Sequence, residues 1–207
     1  MLAQGPTRRG IIFIVSAPSG AGKTTISRAA LKKISGLRAS ISLTTREPRE
    51  GEVDGIDYHF VTDEEFIRRR AAGELAEWAR VFDSSYGTPR TPLDEAVARG
   101  NDMLLDIDIQ GASQIRQSYP ADTASIFVLP PSFPELEERL RRRGTETGDA
   151  IARRLMRARQ EASAFRDYDY LIINAHREES LEALKTIVEG ERLKVGRLRE
   201  EFAPWKS

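Results

Sequence analysis

The chain has 207 residues, 40% of them hydrophobic and 31% charged, which suits a compact soluble unit with a sizeable core. Its formal net charge is zero, so no whole-molecule field draws it to nucleic acid or a membrane, and any anion site must come from local clustering. It has no cysteine, which excludes disulfides and thiolate metal sites, and no apolar run approaches the ~18 residues of a membrane span.

The opening "MLAQGPTRRG" carries charge with no apolar stretch of signal-peptide length behind it, so a cytoplasmic protein is expected. Residues 10–15 are short, apolar and β-branched, the pattern of a buried parallel strand. "SAPSGAGKTT" follows, and residues 26–34 then have helical spacing, with Gly36 as a stop. Residues 40–92 are polar and rich in turn signals, with short alternating stretches such as "YHFV", and read as a small mixed β insertion. "MLLDIDI" from Met103 is a second apolar strand, "ASIFVLPP" a third stopped by prolines, and "YDYLIIN" from Tyr168 a fourth. Helices are expected between them, including 134–143, 149–165 and 179–198. Strand–helix alternation predicts an α/β fold, a parallel sheet with helices on both faces.

The loop at 16–25 carries the strongest chemistry. The phosphate-loop pattern is G-x-x-x-x-G-K-[ST]; here Gly22, Lys23 and Thr24 match its end, while Ala17 takes the first glycine position. The loop leaves an apolar strand and opens a helix, as the mechanism requires. Glycines let successive N–H groups turn around phosphate oxygens, and the helix N-terminus adds its positive end. Lys23 is expected to reach the β- and γ-phosphates, and Thr24 to hold magnesium. In "LDID", Asp106 and Asp108 stand two apart and are expected on one face of a strand, at the C-terminal end where ligands gather. One would join the magnesium shell through water, as Asp106, and the other would face the acceptor, as Asp108; the two roles are interchangeable on sequence grounds. The arginine-dense segment 139–159 places Arg139 and Arg143 four apart on a helix, with Arg154 beyond the break "GTETG". The two histidines are isolated and read as structural.

"SAPSGAGKTT", "SLTTREPREGEVDGIDYHFV", "EWARVFDSSYGTPR", "LLDIDIQGA", "RLRRRGTET" and "YDYLIIN" occur in the order found in guanylate kinases. The chain resembles that family from about residue 10 to about residue 198. One departure is "DSSYG", where the family often has a further aromatic before Tyr86. The resemblance implies a parallel-sheet P-loop kinase core (9–39, 101–132 and 168–207), a small mixed β GMP-binding insert (40–100) and a helical, arginine-rich lid (133–167). It implies transfer of the γ-phosphate of ATP to GMP, with Mg²⁺, and no nucleic-acid or membrane partner. ATP would lie on Ser19, Gly20, Ala21, Gly22, Lys23, Thr24 and Thr25. Asn174 would border the adenine, although on local grounds it equally ends a strand. Ser42, Glu77, Thr88 and Asp108 would read guanine, whose N1–H and N2 amino group suit a carboxylate. Arg46, Arg49, Tyr58 and Tyr86 would clamp the GMP phosphate, for which the planar guanidinium fork is suited. Lys23, Arg139, Arg143 and Arg154 would act on the moving phosphoryl group.

Family-like domains also serve as protein-binding modules in scaffold proteins, where the phosphate loop is typically degraded; here Gly20, Gly22, Lys23 and Thr24 are intact. A kinase for a sugar phosphate would need no guanine reader such as Glu77 with Ser42.

Overall fold

The computed structural model describes residues 8–81, 83–142 and 148–198, with the side chains of 142, 148–151 and 153 outside that description. The first strand, β1 (Ile12–Ser16), is wholly buried, and it runs through the loop into α1 (Lys23–Lys33). A short edge strand, β2 (Leu37–Ala39), follows. The insert then contributes β3 (Leu43–Thr44), β4 (His59–Phe60), α2 (Asp63–Ala71), β5 (Leu75–Val81) and β6 (Ser84–Pro89). Next come α3 (Arg90–Arg99), β7 (Asp102–Asp106), α4 (Ile109–Ser118) and β8 (Thr123–Leu129). Then come α5 (Phe133–Arg142), α6 (Gly148–Ala162), β9 (Tyr170–Ile173) and α7 (Arg177–Arg192).

The main sheet has the order β2-β7-β1-β8-β9, and all of its pairings are parallel. Side chains alternate along β1, and the core divides accordingly. Phe13 and Val15 pack with Ile26, Ala30, Leu181, Leu184 and Val188 of α1 and α7. Ile12 and Ile14 pack with Leu93, Val97, Ala112 and Ile115 of α3 and α4. The helix α3 therefore packs on the main sheet, although it falls within residues 40–100. A second sheet, β4-β3-β6-β5, is mixed, with β3–β4 parallel and the other pairs antiparallel.

Several expectations need correction. The strand at 103–109 ends at Asp106, because Asp108 is the N-cap of α4 and its side chain accepts from the Gly111 N–H at 2.8 Å. Asp106 and Asp108 thus do not share a strand face. The helix at 179–198 ends at Arg192. Arg197 folds back instead, donating to Glu191 and to the carbonyls of Ala121 and Thr123, both at 3.1 Å. The helix at 149–165 yields to a 3-10 turn from Ser163. The insert also holds α2, capped by Thr62, whose hydroxyl accepts from the Glu65 N–H at 3.2 Å, with acids in its first turn and arginines in its last.

Charge is concentrated at the N-terminal edge of the main sheet. Asp102, 1% exposed, accepts both arms of Arg8 at 2.7 Å, Arg192 at 2.8 Å and the Ile11 N–H at 3.1 Å. Replacing one partner leaves buried charge uncompensated, so Asp102→Asn is expected to cost on the order of 3 kcal/mol of stability. Urea unfolding measures this, and the substrate KM values should stay unchanged, because the site lies at the opposite edge.

Candidate active site

From β1 the chain goes to the edge strand β2, beyond β7 on one side, while β8 lies on the other. Open parallel sheets form their ligand crevice at such a switch point, beyond the C-terminal strand ends. The loop after β1 sits there. Gly22 is the N-cap of α1 with φ +97°, and Gly20 has φ +93°; both values favour glycine. A Cβ on Gly20 would meet Leu140 of α5 at 2.8 Å, so this helix rests directly on the loop. The loop encloses a cavity of about 180 Å³, lined by Ser19, Gly20, Gly22, Lys23, Thr24 and Thr25 among others.

A second cavity, about 250 Å³, shares Lys23 and Thr24 with the first. Its wall also holds Ser42, Tyr58, Glu77, Tyr86, Asp106 and Asp108, so residues from the loop, the insert and β7–α4 converge on one cleft. Lys23 Nζ is ion-paired with Asp106 and donates to the Ile107 carbonyl at 3.1 Å. This holds the ammonium at the junction of the two cavities.

Glu77 is the most unusual group here. It lies on β5 opposite Thr88 of β6 and is only 3% exposed. Thr88 Oγ1 donates to Glu77 Oε1 at 2.6 Å and stands 3.4 Å from Ser42 Oγ. Burial pushes the Glu77 carboxyl up to about 7; the Thr88 hydrogen bond and the Lys23 charge oppose this, while the Asp108 charge adds to it. Gly111 of α4 abuts the same carboxylate: a Cβ there would lie 2.4 Å from Glu77 Oε2. Sequence reasoning missed Gly111, and only its place three residues after Asp108 hinted at a cap. Gly111→Ala, in a helix that tolerates alanine, is expected to displace Glu77 and raise KM for the acceptor about tenfold, leaving KM for ATP unchanged. Steady-state kinetics with each substrate varied in turn checks this.

Tyr58 and Tyr86 pack edge to face, 6.0 Å between centroids, and Arg46 lies 5.6 Å over Tyr58. The Arg46 guanidinium donates to both Glu52 carboxylate oxygens, at 3.0 and 2.9 Å, and to the Glu47 carbonyl at 2.6 Å. Glu52 was another residue missed from sequence. Its carboxyl is held below the usual range by the Arg49 N–H, against burial, with Arg46 reinforcing it. Arg49 is exposed and does not line the cleft.

On α5, Arg139 donates to the Asn174 carbonyl at 2.9 Å and approaches the Ala21 carbonyl at 3.5 Å. Arg154 donates to Ser19 Oγ at 2.9 Å. Both therefore touch the phosphate loop or its support, while Arg143 lies outside the described residues. Asn174 directly follows β9, as a strand-ending residue would. Its side chain is buried and bonded to Ala21 and Ser180, and it does not line the loop cavity.

Among the described residues, no three acidic or histidine side chains gather into a metal cage. The donors at the cavity junction are one hydroxyl, Thr24, and one carboxylate, Asp106. That set fits Mg²⁺, which keeps several waters and shares one or two protein ligands with substrate phosphates. No helix among the described residues is long and apolar enough to cross a membrane.

The family model described as guanylate kinase matches residues 9–191. The chain is 47% identical to the guanylate kinase of Zymomonas mobilis over 204 residues, 95% of this chain and 94% of that one. It is 50% identical to that of Syntrophotalea carbinolica over 194 residues, 94% of this chain and 92% of the other. The crystal structure of the Anaplasma phagocytophilum guanylate kinase superposes with TM-score 0.80 at 36% identity, covering 95% of this chain and 93% of that one. A shikimate kinase from Bacteroides thetaiotaomicron shares the fold alone, with TM-score 0.51 at 16% identity over 86% of this chain and 98% of its own. The chain is a kinase and belongs to the guanylate kinase family.

Proposed function

We propose that the protein transfers the γ-phosphate of ATP to GMP, giving ADP and GDP. The observation that carries the reading is the buried Glu77 carboxyl in a cleft that shares Lys23 and Thr24 with the phosphate loop. Residues 40–100 act as the acceptor insert, although their helix α3 packs on the main sheet, 133–167 act as the lid, and 9–39, 101–132 and 168–207 form the ATP-binding core.

GMP enters with its base toward Glu77. The carboxylate accepts from N1–H and the N2 amino group, Ser42 donates to O6, Thr88 holds the Glu77 oxygen beside it, and Asp108 takes the remaining amino proton. The GMP phosphate lies toward Tyr58 and Tyr86, and draws Arg46 away from Glu52, with Arg49 joining from the rim. The triphosphate of ATP occupies the loop, with Ser19 to Thr25 around it. A GMP phosphate oxygen then attacks the γ-phosphorus, the bond to the β–γ bridging oxygen breaks, and ADP leaves with that oxygen. No protein nucleophile takes part. Lys23, Arg139 and Arg154 stabilise the charge on the transferred group, and Arg143 joins them by family resemblance. Mg²⁺, held by Thr24 and through water by Asp106, would neutralise phosphate charge when bound. The lid excludes water, which would otherwise compete as acceptor. The reading places the enzyme in the cytoplasm, where both nucleotides are at hand.

An ADP-release assay across GMP, AMP and ribose phosphates tests this; GMP should be the preferred acceptor, and equal use of a ribose phosphate contradicts it. The pH dependence follows from Glu77. An empty site holds the proton up to about pH 7, and guanine's donors require the carboxylate. GMP binding therefore releases a proton below about 7, and affinity rises severalfold as pH climbs to that value, then levels off. The ligand-free protein shows the opposite slope: the folded state holds the proton more tightly than the unfolded, so this contribution to stability is lost as pH rises through about 7. Calorimetric titration of GMP against pH should show a slope component that Glu77→Gln abolishes.

A further inference from the structure

Asn174 follows β9 and is 8% exposed. Its Nδ2 donates to the Ala21 carbonyl at 2.7 Å, and its Oδ1 lies 3.0 Å from Ser180 Oγ, whose single proton is shared between this oxygen and the His176 carbonyl at 2.9 Å. Ser180, itself 2% exposed, stands in the first turn of α7. The amide has one donor end and one acceptor end, and each is matched, so its orientation is set. Gly22 sits against it: a Cβ there would lie 2.4 Å from Asn174 Nδ2. The lid reaches the same point, because Arg139 donates to the Asn174 backbone carbonyl at 2.9 Å.

A trans peptide is planar, so its carbonyl and the following N–H point in opposite directions. The Ala21 carbonyl is drawn under the loop toward Asn174. The Gly22 N–H of the same peptide is thereby turned the other way, toward the cavity that Gly22 lines. Phosphate binding by a loop of this kind depends on N–H groups held in place before the ligand arrives. We propose that Asn174 is a positioning residue: oriented by Ser180, it locks the Ala21–Gly22 peptide with its N–H facing the nucleotide phosphates. The proposal rests on the reading of the loop as the ATP site. The interaction is buried, where an unpaired or repulsive polar contact weighs most.

Asn174→Asp keeps the shape and removes the donor, setting an acceptor against the Ala21 carbonyl. Ser180→Ala removes the hydroxyl that orients the amide, and Ser180→Thr keeps it. ATP and GMP are titrated separately into each variant by calorimetry, alongside kcat and both KM values. Asn174→Asp should weaken ATP binding about tenfold or more. Its GMP affinity should stay within about twofold of wild type. Ser180→Ala should shift ATP binding the same way by less, and Ser180→Thr should restore it. Wild-type ATP affinity in folded Asn174→Asp and Ser180→Ala overturns the assignment, and so does equal loss of ATP and GMP affinity. If Asn174→Asp does not fold, the Ser180→Ala and Ser180→Thr pair decides by the same criteria. Failure of the wild-type protein to bind ATP overturns the underlying reading of the loop instead, so the two failures are distinct.

Discussion

Lys23→Ala is expected to reduce turnover on the order of 10³-fold while leaving GMP binding nearly intact. The ammonium stands where the two cavities meet, paired with Asp106 and the Ile107 carbonyl, so it is preset at the point where charge moves between substrates. Its attraction grows as negative charge shifts toward the β–γ bridging oxygen, and such an interaction lowers the barrier rather than only KM. On the proposed reading guanine is held by other residues: Ser42 just before β3, Glu77 on β5, Thr88 on β6 and Asp108 at the start of α4. Stopped-flow or quenched-flow turnover, with GMP titration as control, measures both quantities. Near wild-type turnover removes the role given to Lys23; a large loss of GMP affinity shows instead that the unpaired Asp106 has disturbed the cleft.

Base choice should show an effect of similar size. AMP offers an unprotonated N1 and no N2 amino group, so the Glu77 carboxylate would face an acceptor. Its 6-amino group would also require Ser42 to reverse its hydrogen-bond role. Sites built to hydrogen-bond a substrate reject analogues lacking those groups by on the order of 10⁴-fold, because buried polar groups are left unpaired. Glu77 meets the condition for that penalty, since it is 3% exposed and fixed by Thr88 at 2.6 Å. IMP retains N1–H and O6 and loses only the amino group, so its kcat/KM should fall between those of GMP and AMP. Glu77→Gln should lower kcat/KM for GMP while sparing ATP affinity, because an amide cannot accept both guanine protons equally well. Gly111→Ala should resemble a weaker Glu77→Gln, since both act on the same carboxylate.

The main sheet was legible in the residues because β1, β7, β8 and β9 are continuous apolar runs; the first three are largely buried, while β9, at the edge, leaves Leu171 and Ile173 exposed. The exception, β2, is three residues long with only Leu37 buried, so it carries no such run. The phosphate loop was legible because strand, small residues, lysine and helix are contiguous. The insert was harder. Thr62 with Asp63, Glu64 and Glu65 is a helix-start signal that turn-rich surroundings obscured, and α2 was read as part of a β region. Asp108 was misplaced because a strand end and a helix cap present the same short acid after apolar residues. Gly111 and Glu52 could not be found locally: the first answers to Glu77 on β5, and the second to Arg46 across a turn. Asn174 could be placed at the end of a strand, but its bond to Ala21 exists only once β9 lies beside β8 and α7 packs under the loop. The acceptor and phosphate residues gather because the insert folds back over the C-terminal edge of the sheet, an arrangement that no single motif contains.

The most direct measurement is a single-turnover experiment with ATP labelled at the γ-phosphate, mixed with GMP or AMP in excess of enzyme. With GMP, the label should pass to GDP in a rapid phase, with little free phosphate. With AMP, transfer should be slower on the order of 10⁴-fold. Equal transfer to AMP and GMP, or release of the label as inorganic phosphate in the presence of GMP, would contradict the account.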